Sequence, residues 1–460
     1  MSDLLTCLTT ASQSMAAQQM GLSVVGQNIA NANTPDYSRR ELALVSVPPA
    51  DPTSGGGGVA VQTVTGTRDP MLEQQLLLEQ PAEARESALA NSLGVVQTSL
   101  GQTGQSIDGQ LSAFFNAWST LSQDPTSATA RQSVIIQGQT LATAFNNMAA
   151  SFQSESSEAD TGIRNAVDQV NTLAQQVASL NQQIAQSGGG AAALDLQDQE
   201  TTAVESLSNL VDVDVTQNAT GGEDISIANG RALVIGTNSY AVDVTSNSEG
   251  YADLSTGGVS ITNEITGGQI GGLLQARDVL IPGYQSQLDT LAYTLSQQVN
   301  TAHEAGYTES GAKGGAFFTP LTTQSGAAAA LTVDPTLSAD PSLVAAASET
   351  SGSDNGNANA IAALGTANVI DGGSFTDAWA NLVYQVGQDT ANAQAEQTSC
   401  GEMVTQINSL QSAVSGVSLD EEATKMTMFQ RAYEASAEYF TAVNTTIDTL
   451  MTMLSTSTEA

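Results

Sequence analysis

Two apolar seams at the extreme ends of the chain limit what it can fold into. Read in alternating steps of four and three, the C-terminal stretch gives Leu419, Ala423, Met426, Gln430, Tyr433, Ala437, Phe440, Asn444, Ile447, Met451 and Leu454. That is a coiled-coil repeat with two polar interruptions, Gln430 and Asn444. No Gly or Pro falls inside it, and Ser418 with Glu421 at its head reads as a capping box. The N-terminal end repeats the pattern in Leu4, Leu8, Ala11, Met15, Gln18, Leu22, Val25 and Ile29. Matching seams at both ends predict that the termini pack together as long helices and that everything between them is one long excursion.

The chain has 460 residues, 40% hydrophobic but only 4% aromatic. A core poor in rings favours long, thin, helix-rich packing. Net charge is -36, with two lysines, Lys313 and Lys425. Nucleic acid or an anionic membrane surface would be repelled, so neither is expected as a partner. The same charge also suits solubility in an acidic, salty or external medium. If the terminal helices pair antiparallel, Cys7 lies near Ile447 and far from Cys400, so a structural disulfide is not expected. Cys400 falls on a helical seam, where a thiol fills space like a small apolar group. The N-terminus has neither a cationic start nor an unbroken apolar core, so no cleaved signal peptide is expected. No run approaches the roughly 20 apolar residues that span a bilayer.

Taken in order, the first helix runs from about Asp3 to Ile29, roughly 40 Å at about 1.5 Å per residue. It stops at Asn28-Ile29-Ala30-Asn31-Ala32-Asn33-Thr34-Pro35-Asp36-Tyr37. Pro35 pushes Thr34 out of helical geometry, and Asn tolerates left-handed backbone. Strand-like runs at 41–47 and 59–64 flank Gly55 to Gly58, which lacks the Lys-Ser/Thr ending of a phosphate loop. Helix returns at Pro70, a second helix follows Pro81, and Leu111, Phe114, Phe115 and Trp118 form an apolar cluster. Another helix begins at Asp124-Pro125. The seam Ile163, Ala166, Val170, Leu173, Val177, Leu180, Ile184 ends at Gly188-Gly189-Gly190.

Between about 211 and 270 the period becomes two. Residues 225–235 read as a hairpin closed by the two-residue turn Asn229-Gly230. Asp212, Asp214, Glu223 and Asp224 do not fit calcium-loop spacing and read as a solvated strand face. Helix resumes near Gly272 and goes on after Pro282. Residues 306–373, rich in Gly, Thr and Ala, read as loop with short elements. A long helix from about Thr376 to Val414 leads to the closing seam. The fold class is therefore mainly α with a β-rich insertion. Long terminal helices form a coiled coil, a central elongated helical bundle carries the mass, and a small β domain is inserted in the bundle. The expected parts are 1–40 with 415–460 as paired terminal helices, 41–68 as a β-rich connector, and 69–204, 269–305 and 374–414 as the bundle. The remaining parts are 205–268 as the β domain and 306–373 as the irregular segment.

No catalytic, cofactor or metal site emerges. The single histidine, His303, rules out any motif needing a His pair and reads as solvated or weakly packed. No Gly-x-Ser-x-Gly elbow accompanies it. Carboxylate pairs carry no information in so acidic a chain, and Trp118 and Trp379 read as core.

The first helix and its ending, with Asn31, Asn33, Thr34, Pro35 and Tyr37, resemble the start of the bacterial flagellar rod, hook and hook-associated protein family. That family usually has Gly where this chain has Asp36. The far end, with Gln430-Arg431-Ala432-Tyr433 after Ser418-Leu419-Asp420-Glu421-Glu422, resembles the family's closing helix. Between them, residues 111–125, 180–184, 226–234, 271–278 and 416–422 are similar to the hook-associated branch of the family, whose helical middle the hook proteins lack. The resemblance covers nearly the whole chain outside 306–373.

It implies a structural protein that self-associates in a helical, tubular assembly. It also implies export in unfolded form by the flagellar type III apparatus, without a cleaved signal peptide, to the extracellular flagellum. The implied place is a junction zone that adapts hook to filament and serves as the platform for filament assembly. The implied partners are the hook protein, a second junction protein with the flagellin side of the filament, and a cytoplasmic export chaperone on the C-terminal helix. No cofactor, nucleic acid or membrane is implied. The seams Leu4, Leu8, Met15, Leu22, Val25, Ile29 and Leu419, Met426, Tyr433, Phe440, Ile447, Met451, Leu454 are then the assembly surface, ordered fully only when copies stack. Other readings stay open: a hook or distal rod protein, a secreted coiled-coil adhesin, or a hydrolase working through the β insertion.

Overall fold

The computed structural model describes residues 2–34, 36–48, 57–101, 106–370 and 372–458, with the side chains of 2, 3 and 454–458 set aside. Pro35, Gly55, Gly56 and the Leu454 side chain thus lie outside the described residues. Helix α1 spans Ser2–Ala30 and is followed by an antiparallel pair, β1 (Arg40–Ser46) and β2 (Val59–Gly66). Then come α2 (Pro70–Leu100), α3 (Ile107–Gln123), α4 (Ala128–Ser187) and α5 (Ala191–Ser208).

Strands β3 (Val213–Gln217), β4 (Glu223–Ile227), β5 (Arg231–Ile235) and β6 (Asn238–Ser239) form one antiparallel sheet in sequence order. A second sheet joins β7 (Asp243–Ser246), β8 (Ala252–Thr256) and β9 (Val259–Ser260). The chain continues through α6 (Gly268–Gln275), α7 (Ile281–Ala305), and the short α8 (Ala327–Ala330), α9 (Pro335–Ala339) and α10 (Gly356–Ala363). It closes with α11 (Phe375–Ser415) and α12 (Leu419–Thr458).

The described residues divide into two compact units. The first comprises Met1–Pro81, Gln169–Val242 and Cys400–Ala460, and the second Ala82–Asp168 and Asp243–Ser399.

Two expectations from the sequence need correction. Pro81 does not end a helix: α2 runs straight through it. Proline in a helix interior loses a hydrogen bond and costs about 3 kcal/mol, but Pro81 and the preceding Leu76 are buried, so packing holds the helix. The hairpin loop has three residues, because Ile227 pairs with Arg231 and Ala228, Asn229 and Gly230 all take positive φ. The register shift between Ile225 and Ser226 absorbs the extra residue. Helix does go on past Pro282, as expected, with one π turn, Ala276–Leu280, between α6 and α7. A wider turn there accommodates the ring and the missing N–H of the proline.

The second unit is built on a ring-rich core. Phe114 and Trp118 of α3 each lie 5.5 Å from Phe317, centroid to centroid, and Phe115 stacks on Phe375 at 5.9 Å. Residues 306–373 hold little regular structure, as expected, yet they place Phe317 and Phe318 fully inside this core. His303 is also fully buried there, which corrects the expectation of a solvated ring. Its Nδ1 bonds the Gly315 carbonyl at 2.7 Å and its Nε2 accepts the Ala345 N–H at 2.9 Å. Burial lowers its pKa to about 4, so the ring is neutral at pH 7. Trp118 and Trp379 are core, as read.

Candidate assembly interface

In the first unit α1 and α12 run antiparallel, and small side chains on α1 let α12 come close. Cys7, Ser14, Gly21 and Asn28 recur every seven residues along α1. Across from them stand Glu422, Phe429 and Ser436, with Val443 buried one heptad further on. Ser14 and Ser436 share a 2.9 Å hydrogen bond, and a Cβ on Gly21 would lie 2.6 Å from the Phe429 ring. Asn28 Nδ2 donates to Glu422 at 3.0 Å. Repeats of seven on both helices are what antiparallel knobs-into-holes packing requires. The Cys7 thiol meets Tyr439, and the hydrogen bond between them raises the tyrosine pKa. Neither cysteine is in a disulfide.

The inward stripe is thus turned from the seams that periodicity alone selects. Leu8, Met15, Leu22 and Ile29 follow Cys7, Ser14, Gly21 and Asn28 by one residue and stay half-buried, as does Leu4. Val25 is fully buried. On α12, Met426, Phe440 and Ile447 are half-buried, while Leu419, Tyr433 and Met451 are 55%, 38% and 56% exposed. Hydropathy marks large apolar residues, whereas close helix approach selects small ones, and the two stripes here lie side by side.

The end of α1 is locked by Asn28. Its amide, 1% exposed, donates to the Arg40 carbonyl (3.0 Å) and accepts the Arg40 N–H (2.9 Å) and the Tyr37 hydroxyl (3.0 Å). Glu422, fully buried, is matched by Lys425 at 2.8 Å as well as by Asn28. One amide therefore ties the first helix, the β1 strand, the turn between them and the last helix. Within the turn, Asn31 bonds the Gln27 carbonyl and accepts from Thr34, while Asn33 stays exposed. Asp36, where the family usually has Gly, takes φ +57°, whereas Asn31 and Asn33 do not adopt the left-handed geometry expected of the Asn residues. In the closing helix Gln430 and Arg431 are exposed and Ala432 is half-buried.

Below the turn, the Arg40 guanidinium is buried against Asp195 and Asp198, with its carbon 5.1 Å from the Tyr37 ring centre. Arg68 reaches the same Asp198 at 2.5 Å. Neither Asn28 nor Arg40 stood out from periodicity. The available signal was a polar residue at the small-residue heptad position, and an arginine in a chain with so few cations. An open cleft of about 700 Å3 borders the turn, lined among others by Asn31, Thr34, Arg39, Glu73 and Glu421. Among the described residues no group of His, Cys, Asp and Glu is arranged to hold a metal ion.

Comparison with known proteins assigns this architecture. Residues 93–318 match the family described as Flagellar hook-associated protein FlgK helical domain, and residues 411–453 match Flagellar basal body rod FlgEFG protein C-terminal. Flagellar hook-associated protein 1 of Bacillus subtilis (strain 168) is 29% identical over 96% of both chains. The protein of that name from Escherichia coli (strain K12) is 26% identical over 96% of this chain and 99% of its own.

The chain belongs to the flagellar hook-associated protein 1 family.

As a member of the hook-associated protein 1 family it is a hook–filament junction protein, a structural component of the bacterial flagellum rather than an enzyme. It is extracellular and assembles with hook and filament proteins. The helical-domain match at 93–318 separates it from the hook and distal rod alternatives, and no observation favours the adhesin or hydrolase readings. The fold is shared with the flagellar hook junction protein FlgK from Burkholderia pseudomallei. That similarity has a TM-score of 0.67 and 17% identity, covering 74% of this chain and all of that one. No helix of the described residues is long and apolar enough to cross a membrane.

Proposed function

We propose that this chain is the mechanical adaptor and assembly platform of the junction, and that copies of it stack through the terminal helix pair. The observation that carries this reading is the division of labour across that pair. Small residues of α1 let the Phe429 ring and Ser436 of α12 come close, and most of the large apolar seam residues beside them are left half-buried or exposed. Leu419, Tyr433 and Met451 form such a row on α12, with Leu5 and Met20, 57% and 44% exposed, on α1. Apolar rows of this length on paired helices call for a partner surface, and side-by-side copies supply one of the same geometry. The ends then complete their packing in the tube, with the hook protein on one side and a second junction protein and flagellin on the other. Before export the same apolar tail needs a shield, a role suited to a cytoplasmic chaperone that covers α12.

The test is the double variant Phe440→Asp, Ile447→Asp. It is expected to abolish both filament attachment and chaperone capture. Electron microscopy of the variant strain should show bare hooks, with unattached filament subunits in the medium. Normal filaments on the variant hooks would refute this assignment of the seam.

A further inference from the structure

Three polar side chains meet where the end of α1 packs on the start of α12. Asn28 is 1% exposed and Glu422 is fully buried. One oxygen of the Glu422 carboxylate, Oε1, accepts the Lys425 ammonium at 2.8 Å, and the other, Oε2, accepts Asn28 Nδ2–H at 3.0 Å. A single carboxylate thus holds an amine and a carboxamide side by side. On the far side of the carboxamide, Asn28 Oδ1 accepts the Arg40 N–H at 2.9 Å and the Tyr37 hydroxyl at 3.0 Å. Two fixed donors on one carbonyl oxygen draw charge from its carbon, as an oxyanion hole does. Burial raises the Tyr37 pKa above its ordinary value, so that hydroxyl keeps its proton to donate.

The geometry points to a covalent link that the chain makes in itself: an amide bond between Lys425 Nζ and Asn28 Cγ, with Glu422 as the catalytic residue. The Glu422 carboxylate takes one proton from the Lys425 ammonium and frees a lone pair. Swinging on its flexible stem, Nζ attacks Asn28 Cγ, and the negative charge that develops on Oδ1 is held by the Arg40 N–H and the Tyr37 hydroxyl. Glu422 then passes its proton to Nδ2 and takes another from Nζ. The Cγ–Nδ2 bond breaks, ammonia leaves, and Glu422 remains in its acid form. No oxidant or further reactant is consumed. Burial of Asn28 and Glu422 keeps water from competing for the carbonyl carbon.

The chain has two lysines, and Lys313 is spent on the Ala305 carbonyl and the Tyr307 ring, so Lys425 is the amine that meets a buried carboxylate. Its side chain is 35% exposed, which leaves ammonia a way out. The reacting groups come from α1 and α12, so the link follows folding of the terminal pair, and a chain still unfolded for export lacks it. It lies within one chain and does not depend on copies stacking.

The test is mass spectrometry of the full-length chain recovered from isolated flagella under denaturing conditions. The chain is expected to be lighter than its sequence by one ammonia, and its digest to contain a branched fragment in which Asn28 is joined to Lys425. An unshifted mass, with only separate Asn28 and Lys425 fragments, overturns the proposal. Asn229-Gly230 can also lose ammonia by closing on its own backbone, and a loss confined to that site overturns the proposal as well. Lys425→Arg keeps a cation beside Glu422 but removes the amine. Its Asn28 fragment is expected to be entirely unlinked, and a linked one would mean a different nucleophile and overturn the proposal. Should that variant not assemble, the wild-type digest decides alone.

Discussion

Gly21 of α1 lies directly beneath the ring of Phe429 of α12, so close that a Cβ there would sit 2.6 Å from the nearest ring carbon. In an isolated helix Gly21→Ala would be favourable by about 1 kcal/mol. Here it should destabilise the terminal pair by about 1–3 kcal/mol, because the ring is held by the facing helix and the backbones must part. Denaturation followed at α1 reads this. Phe429→Ala is expected to cancel most of the penalty, giving a clear coupling in a double-mutant cycle. Independent effects of the two changes would mean the helices do not meet there.

Asn28→Ala removes four hydrogen bonds from one buried site and leaves Glu422 buried with Lys425 alone. Loss of about 2–4 kcal/mol is expected, since stranded buried polar groups cost more than the bonds themselves contribute. Asn28→Asp should be no better, as it sets a carboxylate beside that of Glu422. Urea unfolding monitored by the Tyr37 environment distinguishes these outcomes from a change confined to the surface, which would move stability by less than about 0.5 kcal/mol.

Burial of His303 makes the stability of the second unit depend on pH. Its folded pKa, about 4, lies below the ordinary 6.5 because the ring is desolvated. The unfolded chain therefore takes up the proton first, and stability falls as pH drops from 6.5 toward 4. The expected loss is about 1–3 kcal/mol. His303→Gln should be less stable at pH 7 yet show a flatter profile over that window. Denaturant midpoints at pH 4.5 and 7 suffice, and equal slopes in the two proteins would remove His303 as the cause.

The terminal helices, the α/β alternation and the long α4 and α11 were legible because periodicity reports which face of a long element is apolar. What it did not report is which of two adjacent stripes is used within the chain. Leu22 outscores Gly21 on any hydropathy scale, yet Gly21 makes the contact, because the distance between helix axes is set by the smallest side chain present. Pro81 misled for a related reason. Local rules break a helix at proline, and burial can override them. His303 and Arg40 were illegible because their partners, Ala345 and Asp195, are distant in sequence.

The exposed row on α12 separates folding from assembly. Leu419→Ser, Tyr433→Ser and Met451→Ser together should shift monomer stability by no more than about 0.5 kcal/mol each, as expected for exposed sites. The same triple variant should lose filament attachment, whereas Val443→Ala, at a buried position, should mainly lower stability by about 0.5–3 kcal/mol. Thermal melts and motility of the two strains give both readings. A triple variant that swims normally would remove this row from the interface.

Hydrogen exchange along 4–30 and 419–450, compared between the free monomer and hook–filament junctions in isolated flagella, tests the central claim most directly. If neighbouring copies complete the packing of the terminal helices, both segments are weakly protected in the monomer and strongly protected in the junction. Equal, strong protection in the two states would contradict it.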